Sequence, residues 1–187
     1  MQSFRLFAFG ISFLMAASAQ GQGILSAHSV AAVGSESAIG PDGTYYTLVP
    51  GAGSTPLTRT SELMAIGIAA TPSVKWTASV TGELGSILPG TNTVFIVQTV
   101  VSGSGRTTTA TTSILSYAAA TGAHGTSITP AGVISDIQVR TIGGSDYLYV
   151  TTTSISSGTS GGTTVSSITR TLTIYSQTGT VIKTVTL

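Results

Sequence analysis

The sequence predicts an all-β protein made of three four-stranded antiparallel units, and three observations lead to this fold class. After residue 19, no long window repeats apolar side chains at the spacing of a helix. Short runs rich in Val, Ile, Thr and Tyr alternate instead with turns of Gly, Ser and Thr. These runs fall into three similar sets that recur about every 50 to 57 residues.

The N-terminus, residues 1–19, has the features of a secretory signal peptide. Arg5 supplies the positive start, an apolar stretch follows, and Ala17-Ser18-Ala19 forms a small-residue cleavage site. The apolar stretch is about half of the roughly 20 residues that a membrane-spanning helix needs, which disfavours a membrane anchor. We therefore expect an exported mature chain that begins at Gln20. A secreted chain without cysteine is more typical of a bacterial periplasm or cell exterior than of a small eukaryotic secreted domain.

The mature chain is divided into an N-terminal segment, residues 20–34, and three repeated units. The N-terminal segment carries Ile24, Leu25, Val30 and Val33, and we expect it to supply an edge strand that covers one end of the fold. The predicted strands include residues 44–49, 93–101, 113–118, 137–142, 147–153, 170–175 and 180–186.

The repeated units span residues 35–187, with boundaries near 35–82, 83–132 and 133–187. Each unit supplies four short strands, and its variable connection lies between the second and third strands. Leu63, Leu115 and Leu172 are matched between the units. A four-stranded sheet of this size cannot bury both of its faces, so the units are expected to stack on one another as propeller-type blades.

Closure of such a fold takes about four to eight blades, and three blades leave two open faces. The sequence leaves three outcomes open. Two chains form a six-bladed ring about a two-fold axis, or one chain is an open arc, or the gene product is truncated.

The units resemble the repeats of the PQQ-like (quinoprotein-type) β-propeller family. Ile39-Gly-Pro-Asp-Gly-Thr-Tyr45 matches the opening turn and strand of that repeat, and Leu63-Met-Ala-Ile66 with Ala70-Thr-Pro-Ser-Val-Lys-Trp76 matches its close. The partial matches in the other units are Leu115-Ser-Tyr117 with Ala120-Thr-Gly122 and Leu172-Thr-Ile174 with Gln177-Thr-Gly179.

The chain also departs from the family pattern, which implies a degenerate member. The family's Trp, which packs between blades, occurs once, at Trp76, and the equivalent places near Ser127 and Thr184 lack it. The Asp after the third strand is replaced by Gly67, Ala118 and Tyr175. The basic, aromatic and calcium-ligating residues of a quinone site have no match here, so no cofactor is expected.

The low charge of the chain excludes several classes of function. Seven basic and six acidic residues give a net charge of +1. Nucleic-acid binding needs clustered Lys and Arg, so it is not expected. A hydrophobic content of 41% is enough to bury a core, and the absence of cysteine excludes disulfides and thiolate metal sites.

Candidate catalytic and metal-binding residues are few, and none of them forms a recognisable site. The two histidines, His28 and His124, lack metal-ligand spacing, and His124 is expected in a solvated turn. No Gly-x-Ser-x-Gly nucleophile elbow occurs. Neither Gly-rich piece, 102–105 or 157–162, continues into the Lys-Ser/Thr of a phosphate-binding loop.

Paired acid chemistry of the glycosidase type needs two carboxylates that face each other. Asp42 and Asp146 are expected to be turn residues, and Glu83 and Asp136 are the pair that related positions in two units could bring to one rim. The complete set of acidic residues is Glu36, Asp42, Glu62, Glu83, Asp136 and Asp146. No catalytic, cofactor-binding or metal-binding residue is assigned, and the chain is predicted not to be an enzyme.

The connections between second and third strands, residues 57–61, 103–112 and 155–169, are polar and nearly uncharged. They form either a repeated contact surface or solvated, variable loops, and the second interpretation is favoured.

These observations predict an exported, non-enzymatic scaffold or protein-interaction module of the bacterial envelope or exterior. Its expected partner is another protein, or a copy of itself bound through the open blade faces, and no membrane association is expected. Two alternatives are kept. One is the remnant of a PQQ-dependent dehydrogenase, and the other is a small outer-membrane β-barrel, against which the low aromatic content of 6% counts.

Overall fold

The computed structural model describes residues 37–51, 59–104, 107–160 and 163–187. The predicted signal peptide and the segment 20–34, which contains His28, lie outside the described residues, as does Glu36. The described part of the chain consists of twelve strands and the turns between them, without a helix.

The strands form three separate four-stranded antiparallel sheets, each drawn from one continuous stretch of chain in the order in which the strands occur. The first blade contains β1 (Ser37–Ile39), β2 (Tyr45–Pro50), β3 (Thr60–Gly67) and β4 (Ser73–Thr81). The second contains β5 (Glu83–Pro89), β6 (Thr93–Ser104), β7 (Thr107–Ala118) and β8 (His124–Ile128). The third contains β9 (Val133–Ile142), β10 (Ser145–Ser160), β11 (Thr163–Ser176) and β12 (Val181–Thr186). The predicted all-β fold of three four-stranded blades is confirmed.

A β-bulge recurs between the third and fourth strands of every blade. It lies at Ala65/Ile66, at Leu115/Tyr117 and at Ile174/Tyr175. A bulge adds one residue to a strand and bends it, so the same bend is built into each blade. The bulges therefore align the three blades residue by residue.

This alignment corrects the matching of the leucines. Leu63 pairs with Leu48 and Leu172 with Thr151, and the residue of the second blade at this ladder position is Ile114, which pairs with Val97. Side chains alternate between the two faces of a sheet, so a shift of one residue places Leu115 on the opposite face.

The second blade is packed between the other two. We call the side of a blade that faces the next blade along the chain its forward face, and the other side its backward face. One core cluster joins the forward face of the first blade to the backward face of the second: Tyr46, Leu48, Leu63, Ala65, Trp76, Val80, Ile87, Val94, Ile96, Leu115 and Tyr117. The other joins the second blade to the third: Phe95, Ile114, Ile128, Leu148, Val150 and Tyr175.

Contacts between blades are concentrated at their first strands. β5 lies against β1 and β2 on one side and against β9 on the other. In a propeller, the first strands of the blades approach one another around an axis and the outer strands diverge. The three blades have this arrangement. Each core cluster joins sequence neighbours, so the described residues form an open arc with two terminal faces.

The second and third strands of two blades are longer than predicted. The ladder between β6 and β7 continues to Ser104 and Thr107, and that between β10 and β11 continues to Ser160 and Thr163. Thr and Ser here have the branched or small side chains that strands accept, and their hydroxyls meet across the ladder, for example at 2.6 Å between Ser156 and Ser167. Residues 103–104 with 107–112, and 155–160 with 163–169, are therefore paired strands and not irregular loops.

Candidate functional site

Trp76 joins the first blade to the second. Its side chain is 8% exposed, and its ring lies 5.9 Å from the ring of Tyr46. The indole Nε1 donates a hydrogen bond of 2.8 Å to the carbonyl oxygen of Ala119. Gly122 lies directly against the ring, since a Cβ built on this residue would be 2.5 Å from the Trp76 Cε3 atom. The turn before β8 thus needs glycine, both for its φ of +71° and for the approach of the indole.

Asp146 joins the second blade to the third, and its prediction as a turn residue is wrong. It is the second residue of β10 and is completely buried. One carboxylate oxygen accepts from the Thr91 amide at 3.0 Å and from the Thr141 hydroxyl at 2.6 Å. The other accepts from the amides of Asn92 and Thr93 at 2.6 and 2.8 Å. The carboxylate therefore binds the turn between β5 and β6 by charge-assisted hydrogen bonds.

The glycines around this contact explain why the sequence did not reveal it. Gly143 and Gly144 both have positive φ and form the turn before β10 without help from a side chain. On the other side, Gly90 makes room for the acid, because a Cβ there would lie 2.6 Å from the Asp146 carboxyl carbon. Asn92 closes the contact with a hydrogen bond of 2.7 Å to the Gly144 carbonyl oxygen.

Asp42 is the turn residue that the sequence predicts. Its carboxylate accepts hydrogen bonds from the amide and the hydroxyl of Thr44 at 3.0 and 2.6 Å, and Lys75 lies 3.1 Å away. The Thr44 hydroxyl is the main reason that the pKa of Asp42 is lowered to about 2, with Lys75 adding to the effect. Both charged side chains are substantially exposed, so this ion pair adds little to stability.

The remaining candidate residues do not converge. Glu83 and Asp136 lie on the corresponding strands β5 and β9 and are exposed, but they pair with Thr99 and Thr151, which are not equivalent ladder positions. His124 is the exposed first residue of β8, not a turn residue, and its ring meets the edge of Tyr117 at 5.2 Å. Among the described residues, no group of three His, Cys, Asp or Glu side chains could hold a metal ion.

The forward face of the third blade is one of the two terminal faces that have no neighbouring blade among the described residues. Leu148, Val150 and Tyr175 point towards the second blade, so the alternate residues of the same strands point away from it. The principal residues of this forward face are Tyr147, Tyr149, Leu172, Ile174 and Val185, of which the first four are half-buried and Val185 is 37% exposed. Farther along the arm, Ile155 and Ile168 pair across the ladder on the same face and are 70% and 68% exposed.

These residues occupy the positions that make the interblade contacts elsewhere in the chain. The aligned ladders give three equivalent sets: Tyr46, Phe95 and Tyr149; Leu63, Ile114 and Leu172; Ala78, Ile128 and Val185. In the first two blades these positions are covered by the next blade. The third blade has the same aromatic and aliphatic pattern without a neighbour among the described residues.

One position of this pattern, that of Trp76 in the fourth strand, carries a different residue type in every blade. Trp76 pairs with Ala65, and Lys183 pairs with Ile174, in each case at the last ladder position before the bulge. At the same point of the second blade, the Ser116 hydroxyl donates a hydrogen bond to the carbonyl oxygen of Thr126. The residues equivalent to Trp76 are therefore Thr126 and Lys183, each one residue before the places expected from the sequence. Lys183 is joined on this face by Arg140 and Arg170, so the face carries three of the seven basic residues.

The backward face of the first blade is the other end of the arc, and it is covered to a greater extent. Tyr45 and Thr47 on this face are 8% and 1% exposed. Met64 and Ile66 beside them are half-buried, and Ile39 on β1 is 57% exposed. The two ends of the arc thus differ in how much apolar surface they present.

Comparisons with known proteins found no matching family model, no similar curated protein and no similar solved structure. Within the described ranges, no helix is long and apolar enough to span a membrane.

Proposed function

We propose that this chain is an exported, non-enzymatic scaffold that binds a protein partner through the forward face of its third blade. The observation that carries the proposal is the repetition of the interblade pattern on this face. Tyr149, Leu172 and Val185 stand where the first two blades have residues buried by a neighbour. Half-exposed aromatic and aliphatic side chains bordered by charges are typical of a protein interface.

The state of the acidic side chains favours binding over catalysis. Asp146 accepts four hydrogen bonds within the fold and has no solvent exposure. Asp42 is engaged by Thr44 and Lys75. General acid or base catalysis needs a group that can reach a substrate proton, and the fully buried Asp146 cannot do so.

We further propose that the chain is a degenerate relative of the PQQ-like β-propellers that acts without a quinone. The sequential order of strands in each sheet and the position of Trp76 between two blades are compatible with that origin. The motif match in the first blade remains the basis of this assignment.

Site-specific photo-crosslinking tests the proposed function. A photoreactive amino acid replaces Ile174 on the forward face, and a matched control carries it at Thr184, an exposed residue of the adjacent strand whose side chain lies on the opposite face. The full chain is expressed with its own N-terminus, and the exported fraction is irradiated. We expect protein adducts from position 174 and none from position 184, on a chain that begins at Gln20. Equal labelling at both positions, or no adduct, would contradict the proposal.

A further inference from the structure

We propose that the partner bound by the forward face of the third blade is a different protein whose contact surface carries acidic side chains opposite Arg170 and Lys183, set among apolar ones. This inference rests on the proposed function and adds the chemistry of the partner. Its basis is a surplus of positive charge that lies among the apolar side chains of this face.

Two basic residues lie next to apolar side chains that a partner would cover. Arg170 lies between Ile168 and Leu172 on the same face of β11, two residues from each. Lys183 lies across the ladder from Ile174 at the neighbouring position of β12. A partner that covers the apolar side chains therefore also covers these two charges.

The third basic residue of the face is offset within the blade. On β9, the Gln138 amide donates a hydrogen bond of 3.2 Å to Asp136 and accepts one of 3.4 Å from Arg140. This amide links the acid to the base along the exposed side of the strand. Because Asp136 is the acidic side chain that the described part of this face contains, the uncompensated charge is that of Arg170 and Lys183.

These two charges have no ion pair within the described ranges, in contrast to Lys75, whose ammonium group lies 3.1 Å from Asp42. In the free chain Arg170 and Lys183 are exposed, so water solvates them. Cover by a neutral surface would remove that water without a replacement, which costs free energy. A carboxylate replaces it with a charge-assisted hydrogen bond, which is bidentate for an arginine. The face therefore favours a partner with acids at these two points.

A second copy of this chain does not fit this face. Two forward faces brought together would juxtapose like charges, which opposes association. The backward face of the first blade is covered at its centre, where Tyr45 and Thr47 are 8% and 1% exposed. It cannot receive another blade as the internal junctions do. The partner is therefore a different protein.

Charge removal on this face tests the proposed chemistry. The photoreactive amino acid is kept at position 174, and Arg170→Gln or Lys183→Gln removes one exposed positive charge near it. Lys75→Gln is the matched control, because it removes the same charge from the first blade. We expect the yield of adduct to fall about two- to fivefold in either test variant, as for the loss of one ion pair at the rim of an interface, and to stay unchanged in the control. Equal yields in all three variants would overturn the inference.

A leucine at position 170 distinguishes an acidic partner from a purely apolar one. Arg170→Leu joins Ile168 and Leu172 into one apolar strip. Against an apolar surface this variant should bind more tightly than the wild type. Against a carboxylate it leaves that acid covered and unpaired, so binding should weaken. We expect a yield of adduct below that of the wild type, and a yield equal to it or higher would rule out an acid opposite this position.

Peptide mapping of the adduct identifies the chemistry of the partner directly. Mass spectrometry of the digested adduct gives the peptide that is attached to position 174. We expect a peptide of a different protein with Asp or Glu within a few residues of the attachment point. Attachment to a second copy of this chain, or to a segment without nearby acidic residues, would contradict the inference.

A small apolar anion provides a second measurement on the purified chain without its partner. The probe is anilinonaphthalene sulfonate, and its matched control is phenylnaphthylamine, which has the same rings without the sulfonate. In a nuclear magnetic resonance titration, the anion should shift the backbone amides of Leu172, Ile174 and Val185. We expect it to bind about fivefold more tightly than the neutral probe. Equal affinities, or shifts confined to the first two blades, would count against a face that selects acidic groups.

The outcomes separate this inference from the proposed function. Adducts from position 174 whose yield does not depend on the charges at positions 170 and 183 would overturn the inference and leave the proposed function standing. The absence of any adduct would contradict both.

Discussion

The two junctions within the chain solve the same problem with different chemistry. The first junction buries the larger apolar cluster and adds an indole that packs against a glycine. The second buries fewer apolar side chains and contains Asp146, a carboxylate held by three backbone amides and one hydroxyl. Thr126 takes the place of Trp76 at the second junction, so less aromatic surface is buried there.

This difference shows that a blade stack can replace an aromatic contact with a satisfied charge. Burial of an acid costs free energy unless its hydrogen bonds are complete. Once they are complete, the contact is directional and fixes the rotation between two sheets, which an apolar cluster does less strictly. We therefore expect the first junction to contribute more to stability and the second to depend more on single hydrogen-bonding groups.

The largest expected effect is the loss of the indole at the first junction. Trp76→Ala removes a buried ring and its hydrogen bond to Ala119, and it should lower the free energy of unfolding by about 3 to 5 kcal/mol. Trp76→Phe keeps part of the ring and should cost less. Thermal and denaturant unfolding measure both variants, and an unchanged midpoint for Trp76→Ala would contradict the burial of this side chain between blades.

Removal of the carboxylate at the second junction is expected to have the next largest effect. Asp146→Ala leaves the three amides of the turn at Thr91–Thr93 without their acceptor, at a cost of about 2 to 3 kcal/mol. The matched control is Asp136→Ala, an exposed acid of the same blade, which should stay within about 0.5 kcal/mol of the wild type. Equal effects of the two substitutions in denaturant unfolding would remove the distinction between the junctions.

A smaller effect is expected where the backbone approaches the indole. Gly122→Ala places a Cβ 2.5 Å from the Trp76 ring at a φ of +71°, and it should cost about 1 to 3 kcal/mol. Gly143→Ala tests the backbone cost alone, because Gly143 has a φ of +60° and no neighbour within 4 Å of the added Cβ. Gly122→Ala should lower the melting temperature more than Gly143→Ala, and the reverse order would count against the close approach of the Gly122 backbone to the indole.

The smallest effects are expected from pH. The pKa of Tyr117 is raised above its ordinary value of 10.0 by burial, so the folded protein retains this proton where the unfolded chain has lost it. Stability is therefore unaffected below about pH 10 and falls as the pH rises above it. Tyr117→Phe removes this titration, and its unfolding free energy should decline less steeply with pH than that of the wild type. Parallel declines would contradict the assignment.

At acid pH the stability of the fold changes with pH in the opposite direction. The pKa of Asp42 is lowered to about 2, so its stabilising contribution is complete above about pH 4 and is lost as the pH falls towards 2. The contribution is small because the side chain is exposed. Nuclear magnetic resonance titration of the Asp42 carboxyl should give a midpoint near 2, and a midpoint near 4 in Thr44→Val would identify the hydroxyl as the main cause.

The sequence predicted the architecture better than the contacts that hold it together. Strands and repeats could be recognised because β-branched runs and turn residues act locally, and the position of Trp76 followed from its place in a repeated motif. The role of Asp146 could not be recognised, because the three backbone amides that donate hydrogen bonds to it lie 53 to 55 residues earlier in the chain. Only the fold brings them together.

Two further differences have physical causes of the same kind. The ends of β6, β7, β10 and β11 have the Ser, Thr and Gly composition of loops, and only their cross-strand pairing makes them strands. The shift from Leu115 to Ile114 has its cause in the turn between the third and fourth strands, which shortens by one residue from each blade to the next. The number of residues between the strand position and the turn motif therefore differs between blades.

The most direct test of the stacked arrangement is the measurement of proton contacts between blades by nuclear Overhauser spectroscopy. Strong cross-peaks are predicted between the Trp76 ring and the Gly122 backbone, and between the Thr126 methyl group and Gly179. If these cross-peaks are missing while contacts within each sheet are intact, the three sheets form without stacking in this way, and the account of the two junctions is wrong.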